Sequence, residues 1–202
     1  MNLKIVAATI AIMSTSSALA ADYEVTIDGK TYLFTQGVEQ RVVLNDGHRV
    51  AISVSPVKTK EFREHGLSFS YPSDMKIEQN SFYGIKQITI ESTDSTLFML
   101  QVFPAGTTPK ELQRDLLTGF REEFGNLGAR FPAKSTEPCK RMIGGIEHQG
   151  VRLLYALGDL AHESEIYTMQ KNGKTVAVVF QYAVEDKGKA LPRYKVITST
   201  FK

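Results

Sequence analysis

Two dipeptides constrain this chain more than any other feature: Gly158-Asp159 and Asn172-Gly173. They separate three runs rich in β-branched and aromatic residues, at 146–157, 161–171 and 174–183. Gly and Asn-Gly accept the positive φ that a two-residue hairpin turn demands, so the three runs are predicted to form an antiparallel meander. Turns of that length also set the register, placing Arg152 opposite Glu165 and Tyr167 opposite Val178. Thr175-Val-Ala-Val-Val-Phe180 is almost continuously apolar, the pattern of a central strand covered on both faces.

More strands are expected upstream. Leu67-Ser-Phe-Ser-Tyr71 alternates and is stopped by Pro72. Met75 to Gln79 reads as a short strand. Residues 84–91 and 96–103 read as longer ones, joined by the turn chemistry of Ser92-Thr-Asp-Ser95. The clearest helix signal follows: Thr107-Thr108-Pro109-Lys110-Glu111 holds a Thr-x-x-Glu capping box with Pro at the first helical position. Leu112, Leu116, Leu117, Phe120 and Phe124 then recur at helical spacing, and Gly125 and Gly128 end the run. A further strand is expected within 129–143, turned at Gly144-Gly145. A short helix is expected over 189–201, opened or kinked by Pro192. The fold class is therefore α+β, an antiparallel sheet with helices packed on it.

The N-terminal part differs in kind. Met1 to Lys4, the apolar run Ile5–Met13 and the small-residue exit ending Ala18-Leu19-Ala20 are the three regions of a secretory signal peptide. The apolar run is too short to span a bilayer. Cleavage after Ala20 leaves roughly 180 residues, suited to one domain or a domain with a small appendage. The appendage is expected at 21–60, where Asp28-Gly29 and Asn45-Asp46-Gly47-His48 mark two β-hairpins. The polar stretch 55–65 reads as a connection, and the main domain is assigned to 61–202.

From Gly66 the order of elements, with "FSYP" at its start and "ITSTFK" at its end, resembles the PsbP/Mog-like fold family, which includes the DcrB-type bacterial envelope proteins. Met75 stands where an aromatic often follows "YP.D". The resemblance covers roughly residues 61–202. It implies an α/β/α sandwich and a non-enzymatic accessory or assembly role, and it carries over no functional residue.

Composition excludes little. The net charge of +2 does not call for nucleic acid or a membrane surface. A mean hydropathy of −0.17, with no second long apolar run, argues against a membrane span. Cys139 is the one cysteine, which excludes an intramolecular disulfide and a cysteine-rich metal site. His48, His65, His148 and His162 stand in no metal-ligand spacing. No G-x-S-x-G and no P-loop is present. Lys134, Lys140 and Arg141 form a basic patch near Cys139, without the interleaved aromatics of a nucleic-acid surface. The densest polar cluster is His162-Glu163-Ser164-Glu165. Its carboxylates could be an acid/base pair or an ion-paired or solvated sheet surface facing Arg152 and Tyr182; the second reading is preferred.

No catalytic, cofactor-binding or metal-binding residue is assigned, and no cofactor is expected. The expectation is an exported, periplasmic or secreted, non-catalytic protein that binds another envelope protein, docking through the hairpin extension. The alternative is a small-molecule or lipid-binding module, with an apolar pocket between sheet and helix lined by Phe98, Phe103, Phe120 and Phe124.

Overall fold

The structure is a computed structural model that describes residues 22–35, 38–54, 58–104 and 106–202. The signal-peptide assignment at 1–20 lies outside them. The chain divides into two compact units after Val57.

The first unit is two antiparallel hairpins, β1 (Asp22–Ile27) with β2 (Lys30–Thr35) and β3 (Glu39–Val43) with β4 (Arg49–Ser53). Asp28 and Gly29 both take positive φ, 50° and 77°, the requirement of the tight turn that their sequence signals. Isolated hairpins are marginal in water. These two share the buried side chains Phe34 and Val42. They are tied by Tyr32 Oη donating to Val43 O at 3.1 Å and by Asn45 Nδ2 donating to Asp28 O at 2.9 Å.

The second unit opens with a hairpin, β5 (Thr59–Glu64) and β6 (Leu67–Pro72). The connection expected at 55–65 is thus corrected: Thr59-Lys-Glu-Phe-Arg-Glu64 is a strand. It has one buried residue, Phe62, and so lacks the alternation that sequence reading depends on. Its turn is His65-Gly66, both at positive φ.

Seven strands then form one antiparallel sheet. They are β7 (Lys76–Phe82), β8 (Ile85–Glu91), β9 (Leu97–Phe103), β10 (Thr136–Ile143), β11 (Ile146–Leu157), β12 (Leu160–Lys171) and β13 (Lys174–Ala183), in the order β10-β11-β12-β13-β9-β8-β7. The meander has the predicted register: Arg152 pairs with Glu165, and Tyr167 with Val178. β13 is the middle strand of seven and is buried from Thr175 through Phe180. β7 extends to Phe82, beyond the expected Gln79, and turns at Tyr83-Gly84, again both at positive φ.

The two faces of the sheet are covered unequally. On one, Phe98, Leu100, Val178, Phe180 and Tyr182 meet the β5–β6 hairpin and the C-terminal helix α2 (Lys187–Thr200) in a single core cluster. Phe69 stacks on Phe201 at 5.9 Å and meets Phe98 edge-on at 5.3 Å. Burying such a ring contributes on the order of 2–3 kcal/mol. The chain end joins this layer, with Ser68 and Lys202 exchanging backbone hydrogen bonds. α2 begins earlier than Pro192 suggested and carries that proline inside it. The carbonyl opposite the ring belongs to Gly188, and Arg193 anchors the helix to Asp94 and Asp74 at 2.5 and 2.7 Å. On the other face lies α1 (Pro109–Asn126), over β11, β12 and β13.

Candidate functional site

Alternation along β12 puts Glu163 and Glu165 on the α2 side of the sheet. They are only 8% and 3% exposed, so the expected sheet surface is corrected to a buried cluster. The expected partner is present. Glu165 Oε1 accepts from Arg152 Nη2 at 3.0 Å. Its Oε2 accepts from Arg141 Nε and Nη2, at 2.9 and 2.7 Å, and from Tyr167 Oη at 2.8 Å. Glu163 accepts from Tyr182 Oη at 2.6 Å and Lys187 Nζ at 3.3 Å, and stands 3.4 Å from Arg152 Nε. Arg152 also donates to Glu137 at 2.7 Å.

Burial alone would raise the Glu165 carboxyl, but the Arg141 charge and the hydrogen bonds from Arg141, Tyr167 and Arg152 hold it below the usual carboxylate range. Burial first, with hydrogen bonds to Cys139 and Glu165, pushes the Tyr167 phenol far up. Three acids face three bases, and both oxygens of Glu165 are occupied. An acid/base catalyst needs a proton that moves near the working pH; Glu165 is arranged as a fixed ion pair. Cys139 is buried beside it, and burial raises its thiol, which disfavours the reactive thiolate.

The histidines are scattered. His48 lies in the β3–β4 loop, His65 in the β5–β6 turn and His148 on β11. His162 stacks on Tyr155, its cross-strand partner, at 5.1 Å. Burial lowers its basicity. Among the described residues no group of three His, Cys, Asp or Glu could hold a metal ion. Lys134, Lys140 and Arg141 do not act together: Arg141 turns inward to Glu165, while Lys140 pairs with Glu147 at 2.9 Å.

A concave site exists on the opposite face. α1 starts where its sequence dictates: Thr108 is extended at φ −88°, ψ 146°, and its Oγ1 accepts from the Glu111 backbone N–H. The helix is pinned there by Thr168 Oγ1 donating to Pro109 O at 2.8 Å, and by Gln113 Nε2 donating to Ile166 O at 3.2 Å. Leu112 is buried, but Leu116, Phe120 and Phe124 are only half-buried. Beside them the β9–β8 half of the sheet is left partly open. Leu97, Met99, Gln101 and Gln87 face Leu116, Phe120 and Phe124 across a groove of about 510 Å³ that ends at Phe82.

Phe120 and Phe124 therefore line a pocket, as the sequence suggested. Phe98 does not; it points to the other face, where it packs on Phe69 and Phe180. Phe103 shares the groove face of β9 but stands outside the lining. Phe124 stacks on Tyr155 at 4.4 Å, and Tyr155 borders a second apolar cavity of about 470 Å³ with His162, Phe131 and Val184. Gln101 escaped sequence reading. It is 8% exposed and its Oε1 has no hydrogen-bond partner among the described residues; the only sequence signal was a Gln in the apolar run Leu97–Phe103.

This architecture defines the class: an α+β protein built on one antiparallel sheet, with a helix on each face and hairpins before it. No protein-family profile and no curated protein matches the chain. Solved structures align with much of this chain at low identity. The solution structure of cyanobacterial PsbP from Synechocystis aligns with a TM-score of 0.47 at 13% identity, over 74% of this chain and 94% of that one. A crystal structure from Bacteroides thetaiotaomicron aligns at 0.46 and 16% identity, over 72% of this chain and 48% of that one, so the chain spans about half its length. LpqN, involved in cell envelope biogenesis of Mycobacterium tuberculosis, aligns at 0.41 and 12% identity, over 71% and 90%. No helix among the described residues is long and apolar enough to cross a membrane.

Proposed function

We propose that this chain is an exported accessory protein of the cell envelope that binds and does not catalyse, and that its binding site is the groove under α1. The observation that carries this reading is the half-covered sheet face. α1 leaves Leu116, Phe120 and Phe124 part-exposed opposite Met99 and Leu97, where a closed core would have buried them. A volume of about 510 Å³ lies in the size range of small-molecule sites. An apolar small molecule is therefore the occupant that the geometry favours. Export rests on the signal-peptide pattern, and the first residue of the mature protein is then Ala21. Sequencing the protein from its N-terminus checks this, and a chain that keeps Met1 contradicts it.

Gly119 offers the test of the groove. It lies within α1 and lines the groove, and no atom stands within 4 Å of where its Cβ would be. Gly119→Trp is expected to place an indole over the groove, since no atom crowds its Cβ. Fluorescence of the hydrocarbon diphenylhexatriene is expected to rise on binding the unaltered protein and to stay low with Gly119→Trp. Equal signals would place the binding elsewhere. Separately, a hydrolase screen with Glu163→Gln as control is expected to find no activity; activity lost in that variant would reinstate an enzyme.

A protein partner is the second reading. It is favoured by Leu33, Val38 and Val43, which are 68%, 48% and 48% exposed on the hairpin unit. Capture of one defined partner from envelope extract, abolished by Leu33→Asp, would support it.

A further inference from the structure

We infer that the groove under α1 selects an uncharged or cationic amphiphile, an alkyl chain bearing an O–H or N–H donor, and rejects carboxylates. The inference rests on the binding reading above and adds to it the chemistry of the head group.

Gln101 carries the argument. It projects from β9 into the groove lining, only 8% exposed. Its Nε2 donates to Gln87 Oε1 at 2.7 Å, which orients the amide, and its Oε1 is buried without a donor among the described residues. A buried acceptor left unmet is costly, and native proteins rarely leave one so. The groove's apolar walls are Met99, Leu97, Leu116 and Phe120; Gln87 and Gln181 also line it, and among the described residues neither amide donates to Gln101 Oε1. A ligand donor supplies what the chain does not.

Charge points the same way. The ionisable residues lining the groove are Asp115 and Glu123, both acidic. Asp115 meets Arg114 at 3.1 Å, but that pair is exposed and its charges are screened by water. The exposed rim carboxylates add only a weak, screened bias; at Gln101 Oε1 a carboxylate would meet an acceptor, and an amine or alcohol would meet its complement.

Gly119 leaves room for an occupant without selecting one; Gly125, in the same helix, is equally open. A glycine inside a helix is disfavoured, and no neighbour requires Gly119, since its Cβ position is empty. Its position in the groove wall leaves α1 backbone open to close approach by an occupant.

The test compares dodecylamine, dodecan-1-ol and dodecanoate, each below its micelle concentration, in displacing diphenylhexatriene from the purified protein. The amine and alcohol are expected to bind about tenfold tighter than dodecanoate, the scale of one hydrogen bond in a dry site. Gln101→Leu, or the near-isosteric Gln101→Met if the first fails to fold, is expected to abolish the preference while keeping the hydrocarbon probe. Equal affinities on the unaltered protein, or a preference that survives in Gln101→Leu, overturn the head-group assignment and leave the groove standing. Failure of the unaltered protein to bind the probe, or binding undiminished in Gly119→Trp, overturns the groove itself. The selectivity of the unaltered protein is decisive even where a variant does not fold.

Discussion

Glu165 shows what one residue is worth in this sheet. It is 3% exposed and held by two guanidinium groups and a phenol. Removing its charge leaves Arg141 and Arg152 short of a partner in a dry site, so Glu165→Gln is expected to cost about 3 kcal/mol in denaturant melts. The pH dependence follows from the lowered carboxyl. The ion pair's contribution is complete above the unfolded carboxylate pKa, about 4.3, and is lost as pH falls through the lower folded value. The gap between the two proteins should therefore close in acid; a gap constant to low pH would contradict the ion-pair account. Gly150 makes the same point by steric means. It pairs with Tyr167, and a Cβ there would lie 2.5 Å from the ring and 2.8 Å from Ile166 O. Gly150→Ala is expected to lose about 1–3 kcal/mol, measured by thermal melts. The Arg152–Glu165 pairing was legible because two-residue turns fix register. Arg141 was not, because it reaches Glu165 from β10, a strand whose bounds within 129–143 the sequence left open. Nor was the burial of the cluster, which α2 and the core around it create.

Elements with strong local chemistry were legible and weakly patterned ones were not. Thr108-Pro109-Lys110-Glu111 begins α1 where the capping box says it should. Thr108 Oγ1 both accepts from the Glu111 N–H at 3.3 Å and donates to Glu111 Oε2 at 2.6 Å. Thr108→Ala is expected to lower stability by about 1 kcal/mol; an unchanged denaturant midpoint would show the cap to be dispensable. The turns at Asp28-Gly29 and Asn172-Gly173 follow the same logic. The turns at His65-Gly66 and Tyr83-Gly84 adopt the same positive φ, but His and Tyr do not announce it, because only the glycine is at ease there. β5 was hidden behind its charged surface, and β7 was truncated because Asn80-Ser81 are residues typical of turns. α2 gave too little amphipathic signal ahead of Pro192 to locate its start.

At the scale of the molecule, the sheet is sealed on one face and half open on the other. The sealed face, with Phe69, Phe98, Phe180 and Phe201 packed under α2 and the β5–β6 hairpin, accounts for stability. The open face, where α1 stops short of β8 and β9, accounts for function in this reading. The alternating strands and the amphipathic helix were legible. The offset of α1 across its face was not, because the helix period says which side is apolar and not how much sheet it must cover. Methionine methyl groups report on the difference. Met99 lies in the groove, Met75 and Met169 are buried in the sealed core, and Met142 is exposed on the edge strand β10. The most direct measurement is a titration of methyl-labelled protein with dodecan-1-ol, followed by NMR. The Met99 methyl is expected to shift saturably while those of Met75, Met142 and Met169 hold their positions. An unmoved Met99, or a response confined to Met142, would contradict binding in the groove.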